Sequence, residues 1–514
     1  MNAHSLVASA RRELPFQGLR SAAAIIALAL LLALAFQGTR PLFEPDEGRY
    51  VDVALEMLSS RDFVTPHLNP EHAHYTKPPL TYWVLATSLA TFGQNEWAAR
   101  LPNALFLVLT AACILWLGSV FLPRAPTFPA TVWITMLAPM MFANVITPDT
   151  LLAFLETLAM SLCIAALADR RRHDRTRLII AMWIVWGLAF MTKGPPGLLP
   201  LAATVLVLAL RRDAERLRAL AHPLGIACFV AVGLWWFALT IWRDPSLAVF
   251  YVRDEFVNRM FTAKHDRHPQ WYGALEVYAP TLLIGALPWW PLALPALRKA
   301  PSAVARAFSR TNSASLLDAL LVAWFVVPLV VFLLVRSRLA TYVLPLFVPL
   351  AILTARSAVE WFERWPQFAS GAALTVWIVV LVALKSASAA LPSDKNARAL
   401  ATALSTKTRL LPETRIVFVE TTPAFGMRFY LNREIEGARL RPESQVAYTT
   451  TNDTVCRLLA HEQHSMIMLV PRARSGDFAS TVRGCPSPPL VSAGTAGRYA
   501  IFLTKSSHPH VASR

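Results

Sequence analysis

The feature that most constrains this chain is a succession of long apolar runs separated by short loops. The first covers residues 21–36, and the others lie at 101–122, 128–146, 150–168, 178–192, 196–210, 220–242, 274–296, 316–335, 339–356 and 369–391. A run of about 20 apolar residues is long enough to cross a bilayer as a helix. The pattern predicts a polytopic α-helical membrane protein with about eleven spans, in a range of roughly ten to thirteen.

The composition and charge of the chain agree with a membrane location. Apolar residues make up 55% of the 514 residues and charged residues 16%, whereas soluble proteins carry about 25% charge. The net charge of +17 would also suit a nucleic-acid binder. However, the basic residues fall mainly in short loops between apolar runs, as membrane topology requires. We therefore expect a membrane as the partner and no nucleic acid.

Clusters of basic residues in three of these loops set the expected orientation. They lie at 170–177, 211–218 and 298–310. All three fall on one side of an eleven-span protein, and positively charged loops mark the cytoplasmic side. The loops 37–100 and 243–273 and the C-terminal segment then lie on the opposite side. In a bacterium this predicts an inner-membrane protein whose outward parts face the periplasm.

The composition changes near residue 393, which predicts a domain boundary. Residues 1–392 form the expected membrane domain, whose loop 37–100 carries surface helices, and residues 393–514 form a small periplasmic α/β domain. The pattern of its apolar residues predicts three short buried strands and two helices. These are the strands 415–419, 465–470 and 498–503 and the helices 394–410 and 453–462.

Two of the five cysteines, Cys456 and Cys485, lie in this outward domain. An oxidising compartment permits a disulfide between them. Two cysteines alone do not make a disulfide framework, however. The sequence is therefore compatible both with a bridge and with two free thiols.

An acidic cluster stands directly after the first apolar run. It contains Glu44, Asp46 and Glu47, and carboxylates near a membrane are costly unless they serve a site or stay in water. The stretch 50–58 that follows is amphipathic, which suits a helix lying on the membrane surface. Asp46 is therefore either a cap of this helix or an acid/base group where a lipid-linked substrate presents its polar head. The same two interpretations apply to Asp149, at the start of another apolar run.

The outward side also carries cations that depart from the charge rule. They are Lys77, Lys193, Arg259, His265 and Arg338, the last near Tyr342. Lysine and arginine often extend to lipid headgroups at span ends. Several together also suit a cationic cup for a phosphate. Outward carboxylates facing such cations fit the transfer of a group between phosphate-bearing or hydroxyl-bearing lipids.

Several short motifs, taken in order, resemble those of the bacterial aminoarabinose transferases. They are Pro45–Tyr50, Lys77–Trp83, Phe92–Gly93, Glu96–Leu101, Met191–Gly194, His268–Tyr272 and Ser337–Pro345. Each motif is weak alone, but their order and spacing over residues 20–356 are specific. That family belongs with the protein O-mannosyltransferase-related, polyprenyl-phosphate-dependent glycosyltransferases of the GT-C type.

The resemblance implies an inverting transfer of a sugar from an undecaprenyl-phosphate donor to an acceptor on the periplasmic face. By position, Asp46 would be the principal catalytic carboxylate and Lys77 a ligand of the donor phosphate, with Asp149 as the second catalytic candidate. The other substrate-binding candidates are polar residues of the motifs and outward loops: Glu47, Arg49, Lys193, Arg259, His265, Arg338 and Tyr342.

One position departs from the family pattern. The aminoarabinose transferases have an acidic residue just before the loop lysine, where this chain has Thr76. That acid is linked with a metal in the family, so a divalent metal cofactor is left open here. The change also weakens the case for aminoarabinose as the sugar. Three kinds of acceptor remain as alternatives: lipid A, another envelope lipid or glycan, and a protein hydroxyl. With a protein hydroxyl as acceptor, the chain would be a protein O-glycosyltransferase.

A membrane transporter or lipid flippase is the alternative from another class. Such a protein would carry charged residues in the middle of spans and paired repeats. The charges of this chain instead collect at the outward ends of the apolar runs, which favours the transferase.

Overall fold

The computed structural model describes residues 16–504, apart from 169–171, 263–266, 295–312, 363–366, 409, 412, 445, 447–449, 451–452, 462–464 and 486–488. The chain divides into two compact units. The first, here the helical unit, comprises the chain up to residue 37, residues 76–81 and residues 100–387. The second, here the mixed unit, comprises residues 38–75 and 82–99 and the chain from residue 388.

Apolar helices account for most of the predicted spans. Within the described ranges, seven helices are long and apolar enough to cross a membrane: Glu96–Phe121, Pro148–Ala168, Asp174–Lys193, Pro223–Arg243, Leu316–Leu334, Ala340–Val359 and Gly371–Ala390. Four shorter apolar helices accompany them: Leu19–Leu34, Leu80–Phe92, Pro195–Leu210 and Gly273–Gly285. The multi-pass helical architecture is thereby confirmed, while the exact number of spans stays a prediction.

Some apolar runs are interrupted. The prediction of one helix over 128–146 is wrong, because Phe128–Thr135 and Leu137–Phe142 are separate helices joined at Met136, whose backbone is extended (φ −67°, ψ 139°). Pro139 has no N–H, so a continuous helix would lose a backbone bond at that residue. The predicted run 274–296 likewise ends as a helix at Gly285.

Shorter and irregular elements complete the helical unit. The helices Ala214–Leu220, Ser246–Val249 and Arg259–Phe261 lie between the longer ones. The segments Pro195–Leu198 and Ala340–Leu346 are 3₁₀-helical, and Val230–Leu234 and Phe250–Asn258 are π-helical. π-Helical segments are rare and occur often at functional sites.

A buried lysine joins the first and last apolar helices. Lys385 is 2% exposed, and its Nζ donates to the carbonyl of Leu32 and, at 3.5 Å, to that of Ala33. These carbonyls lie in the last turn of the helix Phe16–Leu34, where backbone oxygens lack helical partners. The ammonium therefore caps a neighbouring helix. It also shows that the charges of this chain are not confined to the ends of the spans.

The N-terminal part of the mixed unit contains the helix Asp46–Ser60 and a hairpin of β1 (His67–Asn69) and β2 (His72–Ala73). Both faces of the helix are buried, the apolar face and the polar face formed by Arg49, Asp52 and Glu56. This differs from the expectation of a helix that lies on the membrane with its polar face in water. The polar face has protein partners instead.

The C-terminal part of the mixed unit contains a five-stranded sheet. Its strands are β3 (Arg415–Val419), β4 (Ile435–Ala438), β5 (Met466–Pro471), β6 (Leu490–Ala496) and β7 (Tyr499–Thr504), in the order β4-β3-β5-β7-β6. The strands β4, β3 and β5 are parallel, whereas β7 pairs antiparallel with β5 and β6. The three predicted strands match β3, β5 and β7 to within one residue, which confirms the small α/β domain.

Helices cover this sheet and complete its core. They are Ala397–Lys407, Met427–Leu431, Val455–His461 and Ser475–Arg483. Alternate residues of the central strands, among them Val417, Val419, Met468 and Val470, pack in one apolar cluster with Phe478. Burial of apolar side chains of this size is the main force that holds such a domain together.

A disulfide fastens two of these helices. It joins Cys456, in the helix Val455–His461, to Cys485, which follows the helix Ser475–Arg483, and their Cα atoms are 5.2 Å apart. The remaining cysteines, Cys113, Cys163 and Cys228, are free.

Candidate active site

The helical unit brings together two of the predicted site residues at the ends of neighbouring helices. Asp149 is the second residue of the helix Pro148–Ala168, and Lys193 is the last residue of the helix before Gly194. Gly194 ends that helix with a φ of 73°, a conformation that favours glycine. The Lys193 Nζ donates to Asp149 Oδ1, and both side chains are almost fully buried.

This ion pair accounts for the burial of the Asp149 carboxylate. Its carboxylate is 2% exposed and engaged by the Lys193 ammonium, so capping of its own helix does not account for its burial. A buried charge needs an opposite charge close by to offset the loss of hydration. The pairing favours Asp149 as the residue that positions Lys193, which departs from its prediction as a second catalytic carboxylate.

Tyr342 connects Lys193 to a further cation. The Lys193 Nζ lies 3.9 Å from the centroid of the Tyr342 ring, within the range of a cation–π contact. Arg267 Nη1 donates to the Tyr342 hydroxyl at 3.1 Å. The tyrosine therefore contacts one cation through its face and another through its hydroxyl.

Lys77 lies in a second group of charges in the helical unit. Its Nζ donates to the Thr76 carbonyl at 3.0 Å and lies 3.5 Å from Glu255 Oε2. Arg259 Nη2 donates to both oxygens of Glu255 at 2.7 Å. The two cations thus share one carboxylate, which sits on the π-helical segment Phe250–Asn258.

Electrostatics connect the two groups. Burial above all, together with the positive charges of Arg259, Lys193 and Arg267, lowers the pKa of Lys77 to about 7, while Glu255 acts in the opposite direction. A buried ammonium loses hydration, and like charges disfavour its charged form. Two carboxylates, Glu255 and Asp149, lie among these four cations, so the site carries excess positive charge and suits an anionic group.

Arg338 has a different role from the one predicted. It is 3% exposed, and its Nη1 donates to the carbonyls of His268 and Gln270 at 2.5 and 2.8 Å. Its backbone N–H donates to the Arg267 carbonyl at 3.0 Å. Because its Nη1 is occupied by two backbone carbonyls, Arg338 holds the loop that carries Arg267, which argues against its predicted role as a phosphate ligand. His265, another predicted ligand, lies outside the described residues.

The mixed unit carries Asp46 at the first position of the helix Asp46–Ser60. Its side chain is 38% exposed, and Oδ1 accepts a hydrogen bond from Arg49 Nη2 at 2.7 Å. The helix has no side-chain cap, since Pro45 occupies the N-cap position. A carboxylate in the first turn is still favoured by the helix dipole. Asp46 is thus an accessible carboxylate, paired with the predicted binding residue Arg49.

Glu47 was predicted as a substrate ligand, and its surroundings argue against this role. It is 2% exposed, Oε1 accepts from Arg40 Nη2 at 2.5 Å, and Oε2 accepts from the Phe43 backbone at 2.9 Å. Its carboxylate therefore fixes the turn that precedes the helix, which is a structural role.

Some charged residues near these groups were not identified from the sequence. Glu255 and Arg267 fall in a loop that carries several charges, which gave no reason to single them out. Glu156 did carry a signal, as an acidic residue within an apolar run. It is 4% exposed and lies about two turns after Asp149 on the same face of one helix.

A metal site is not assembled from the usual ligands in the part of the chain that the structure describes. There, His, Cys, Asp and Glu side chains do not form a group of three or more that could hold a metal ion. Thr76 stands where the related transferases have an acid.

Comparisons with known proteins agree with these observations. Residues 76–242 match the family described as dolichyl-phosphate-mannose-protein mannosyltransferase. The chain is 33% identical over 343 residues to undecaprenyl phosphate-alpha-4-amino-4-deoxy-L-arabinose arabinosyl transferase 2 of Sodalis glossinidius, covering 65% of this chain and 58% of that protein. The corresponding transferase of Aeromonas salmonicida is 31% identical over 344 residues, covering 64% and 58%. The chain thus spans less than two thirds of the length of these relatives.

Solved structures share the fold over almost the whole chain. ArnT from Cupriavidus metallidurans bound to undecaprenyl phosphate matches with a TM-score of 0.74 at 20% identity, over 95% of this chain and 99% of that one. An oligosaccharyltransferase from Archaeoglobus fulgidus, in a complex with zinc and sulfate, matches with a TM-score of 0.55 at 12% identity, over 93% and 72%.

These matches define the class: the chain is a multi-pass membrane protein with the GT-C fold, followed by a small C-terminal α/β domain, as predicted. Within that class it is similar in sequence to the bacterial aminoarabinose transferases over about two thirds of its length. The resemblance carried by the sequence motifs is thereby confirmed.

Proposed function

We propose that this chain is an integral membrane glycosyltransferase that moves a sugar from an undecaprenyl-phosphate donor to an acceptor at the periplasmic face of the bacterial inner membrane. The observation that carries the proposal is a group of four cations, in which Glu255 contacts Lys77 and Arg259, and Tyr342 contacts Lys193 and Arg267. Such a group suits the phosphate of a lipid-linked donor. The names of the similar proteins supply the chemical class of that donor.

The reaction is a single displacement at the anomeric carbon. An acceptor oxygen forms the new bond to this carbon while the bond to the phosphate oxygen breaks, so the configuration inverts and undecaprenyl phosphate leaves. The negative charge that develops on the departing phosphate is stabilised by Lys77 and the neighbouring cations. These cations accelerate the reaction most if they bind the departing phosphate more tightly than they bind the phosphate of the intact donor.

The acceptor decides how much base catalysis the reaction needs. A lipid A phosphate is already ionised and attacks without losing a proton. A hydroxyl of a glycan or protein must transfer its proton, and we assign this proton to the Asp46 carboxylate, which is accessible at the start of its helix. Lys193 serves as a further donor-phosphate ligand, held by Asp149 and oriented by Tyr342.

The experiment compares a deletion strain with the same strain complemented by the wild-type gene. Mass spectrometry of lipid A, other envelope glycolipids and glycoproteins should show one sugar missing from one acceptor in the deletion strain and restored on complementation. Unchanged envelope glycans would overturn the proposal. Purified protein in lipid vesicles should then transfer the same sugar from its undecaprenyl-phosphate donor.

A protein O-glycosyltransferase is the second candidate, favoured by the match of residues 76–242 to a protein mannosyltransferase family. Mass spectrometry of the deletion strain distinguishes the two candidate functions, because a protein O-glycosyltransferase would leave the sugar missing from a protein. A transporter is disfavoured. Lys385 and Glu156 do lie within spans, but Lys385 caps a helix, and the fold is shared with transferases.

The orientation is tested by reporter fusions. A reporter after the C-terminal residue should be active only outside the cytoplasm, and one in the loop 169–177 only inside it, because the loop basic residues are distributed on one side. Activity of the C-terminal fusion in the cytoplasm would overturn the periplasmic assignment.

A further inference from the structure

The segment that leads to Asp46 is held by backbone contacts with the C-terminal part of the mixed unit. Glu44 N–H donates to the Lys395 carbonyl at 2.9 Å, and Ala397 N–H donates to the Leu42 carbonyl at 3.0 Å. These bonds surround an antiparallel bridge between Phe43 and Asn396. The residues before the helix Asp46–Ser60 are therefore fixed by a part of the chain some 350 positions later.

A second contact involves two glycines and a carboxylate. The Glu44 carboxylate accepts a hydrogen bond from the Gly426 backbone at 2.6 Å. A Cβ added at Gly48 would lie 2.5 Å from Gly426 N, and one added at Gly426 would lie 3.1 Å from Gly48 Cα. Only the absence of side chains permits this approach. The first turn of the helix thus packs directly against the backbone at residue 426.

A third contact fixes the polar face of the helix. Arg428 Nη2 donates to Glu56 Oε2 at 2.5 Å, and Nη1 lies 3.5 Å from Asp52 Oδ1. The side chains of all three residues are at most 11% exposed. Burial raises the pKa of Asp52, and the charge of Arg428 opposes this shift. One arginine therefore contacts both buried carboxylates on the helix that begins at Asp46 and offsets part of the cost of burying them.

We propose that Arg428 is a positioning residue for Asp46, and that the C-terminal domain acts as the support that sets the direction of the helix Asp46–Ser60. This proposal rests on the proposed function, since it assigns Asp46 to the transfer step. It goes further by giving a role to the C-terminal domain, which carries no catalytic group of its own in the proposed reaction. Displacement of a reacting group by about 1 Å can lower a rate about 100-fold, so the support matters for turnover.

The domain offers a matched control for the loss of an ion pair. Arg415 Nε and Nη2 donate to the two oxygens of Glu436 at 2.8 and 2.5 Å. This pair joins β3 to β4 and does not involve the helix Asp46–Ser60. Arg415→Gln therefore removes a comparable bidentate ion pair from the same domain without releasing that helix.

The test measures sugar transfer by purified Arg428→Gln and Arg415→Gln in lipid vesicles. We expect kcat of Arg428→Gln to fall about 10- to 100-fold with the donor KM nearly unchanged, and Arg415→Gln to keep wild-type kcat. Arg428→Lys should recover part of the loss, because it restores one charge. Wild-type kcat in Arg428→Gln, or an equal loss in both variants, would overturn the proposal.

A double variant separates positioning from general damage. If Arg428 acts through Asp46, then Asp46→Asn with Arg428→Gln should transfer at the residual rate of Asp46→Asn alone. Losses that multiply would overturn the proposal. If Arg428→Gln does not accumulate in the membrane, the same comparison is made with Arg428→Lys. Absence of transfer by the wild-type protein would instead remove the proposed function, so the two failures are distinct.

Discussion

Lys77 Nζ lies 3.5 Å from a carboxylate oxygen of Glu255, the same carboxylate that accepts two bonds from Arg259. A carboxylate between two cations offers a pair of negatively charged oxygens, which these groups also recognise in a phosphate. Under the proposed function, the donor phosphate therefore competes with Glu255 for Lys77 and Arg259. This relationship leads to two predictions about donor binding.

The first prediction concerns the pH dependence of donor use. Burial and the charge of Arg259 hold the pKa of Lys77 at about 7, so the ammonium is charged below this pH and neutral above it. The charge of the donor phosphodiester does not change in this range. We expect kcat/KM for the donor, which reports groups of the free enzyme, to fall as the pH rises above about 7.

The control for this prediction is Lys77→Arg, because arginine keeps its charge throughout the range. Its kcat/KM should lack the fall above neutral pH, even if its absolute value is lower. Initial rates at limiting donor, measured from about pH 6 to about pH 9 on both sides of the Lys77 pKa, give the comparison. A wild-type profile that is flat over this range would contradict the assignment of Lys77 to the phosphate.

The second prediction concerns Glu255→Gln. The carboxylate favours the charged form of Lys77, so its loss should lower the pKa of Lys77 and move the fall in kcat/KM to lower pH. Well below that pH, the donor no longer competes with a carboxylate, and its KM should decrease about fivefold, a value typical of a weak ion pair. Glu276→Gln removes a half-exposed carboxylate near His268. This variant should change neither the pH at which kcat/KM falls nor the donor KM. If both variants behave alike, Glu255 does not face the phosphate.

The sequence predicts those parts of the structure that depend on local pattern. Long apolar runs specify membrane helices wherever they occur, and short apolar runs between turns specify β3, β5 and β7, because burial alone decides these elements. The interruption at Met136 was not predicted, since the run 128–146 is apolar on both sides of it. There the position of Pro139 and the packing around it decide where the helix stops.

The candidate site was predictable in its residue types but not in their roles. Motif positions identified Asp46, Lys77 and Lys193, because charged residues at span ends are visible in the sequence. Which charges pair with which depends on contacts between distant segments. Examples are the occupation of Arg338 by carbonyls of the loop 268–270 and the pairing of Asp52 with Arg428. Residues 68 or more positions apart give no local signal of such pairs.

The third prediction concerns the disulfide between Cys456 and Cys485. The bridge closes a loop with a sequence separation of 29 residues, which should stabilise the domain by about 3–4 kcal/mol in the loop-entropy model. Reduction should make the C-terminal domain sensitive to protease while the membrane helices stay intact. Thiol labelling of the denatured, unreduced protein, mapped by peptide mass spectrometry, should miss both cysteines. Cys113, Cys163 and Cys228 should react and serve as internal controls; labelling of all five would exclude the bridge.

The fourth prediction concerns the pair of Asp149 and Lys193. Removing one partner leaves the other charge buried and unpaired, which typically costs about 3–5 kcal/mol, so Asp149→Leu should accumulate poorly. Asp149→Leu combined with Lys193→Met removes both charges and should restore the amount of folded protein. Because the phosphate then lacks one ligand, the donor KM of the double variant should stay raised. Protein yield after detergent extraction and donor KM are the two measurements; normal KM in the double variant would show that the pair is only structural.

The last prediction concerns Asp46 itself. Asp46→Asn keeps the size of the side chain and an oxygen for the contact with Arg49, but it removes the charge and the base. Loss of a general base typically lowers turnover by about 10²–10⁴-fold, and we expect kcat to fall in this range while the protein accumulates at wild-type level. Asp62→Asn is the control, since Asp62 accepts backbone hydrogen bonds from Val64 and Thr65 just beyond the other end of the same helix. A well-expressed Asp46→Asn protein with near-normal transfer would show that the helix start is structural, and the proton of the acceptor would then need another base.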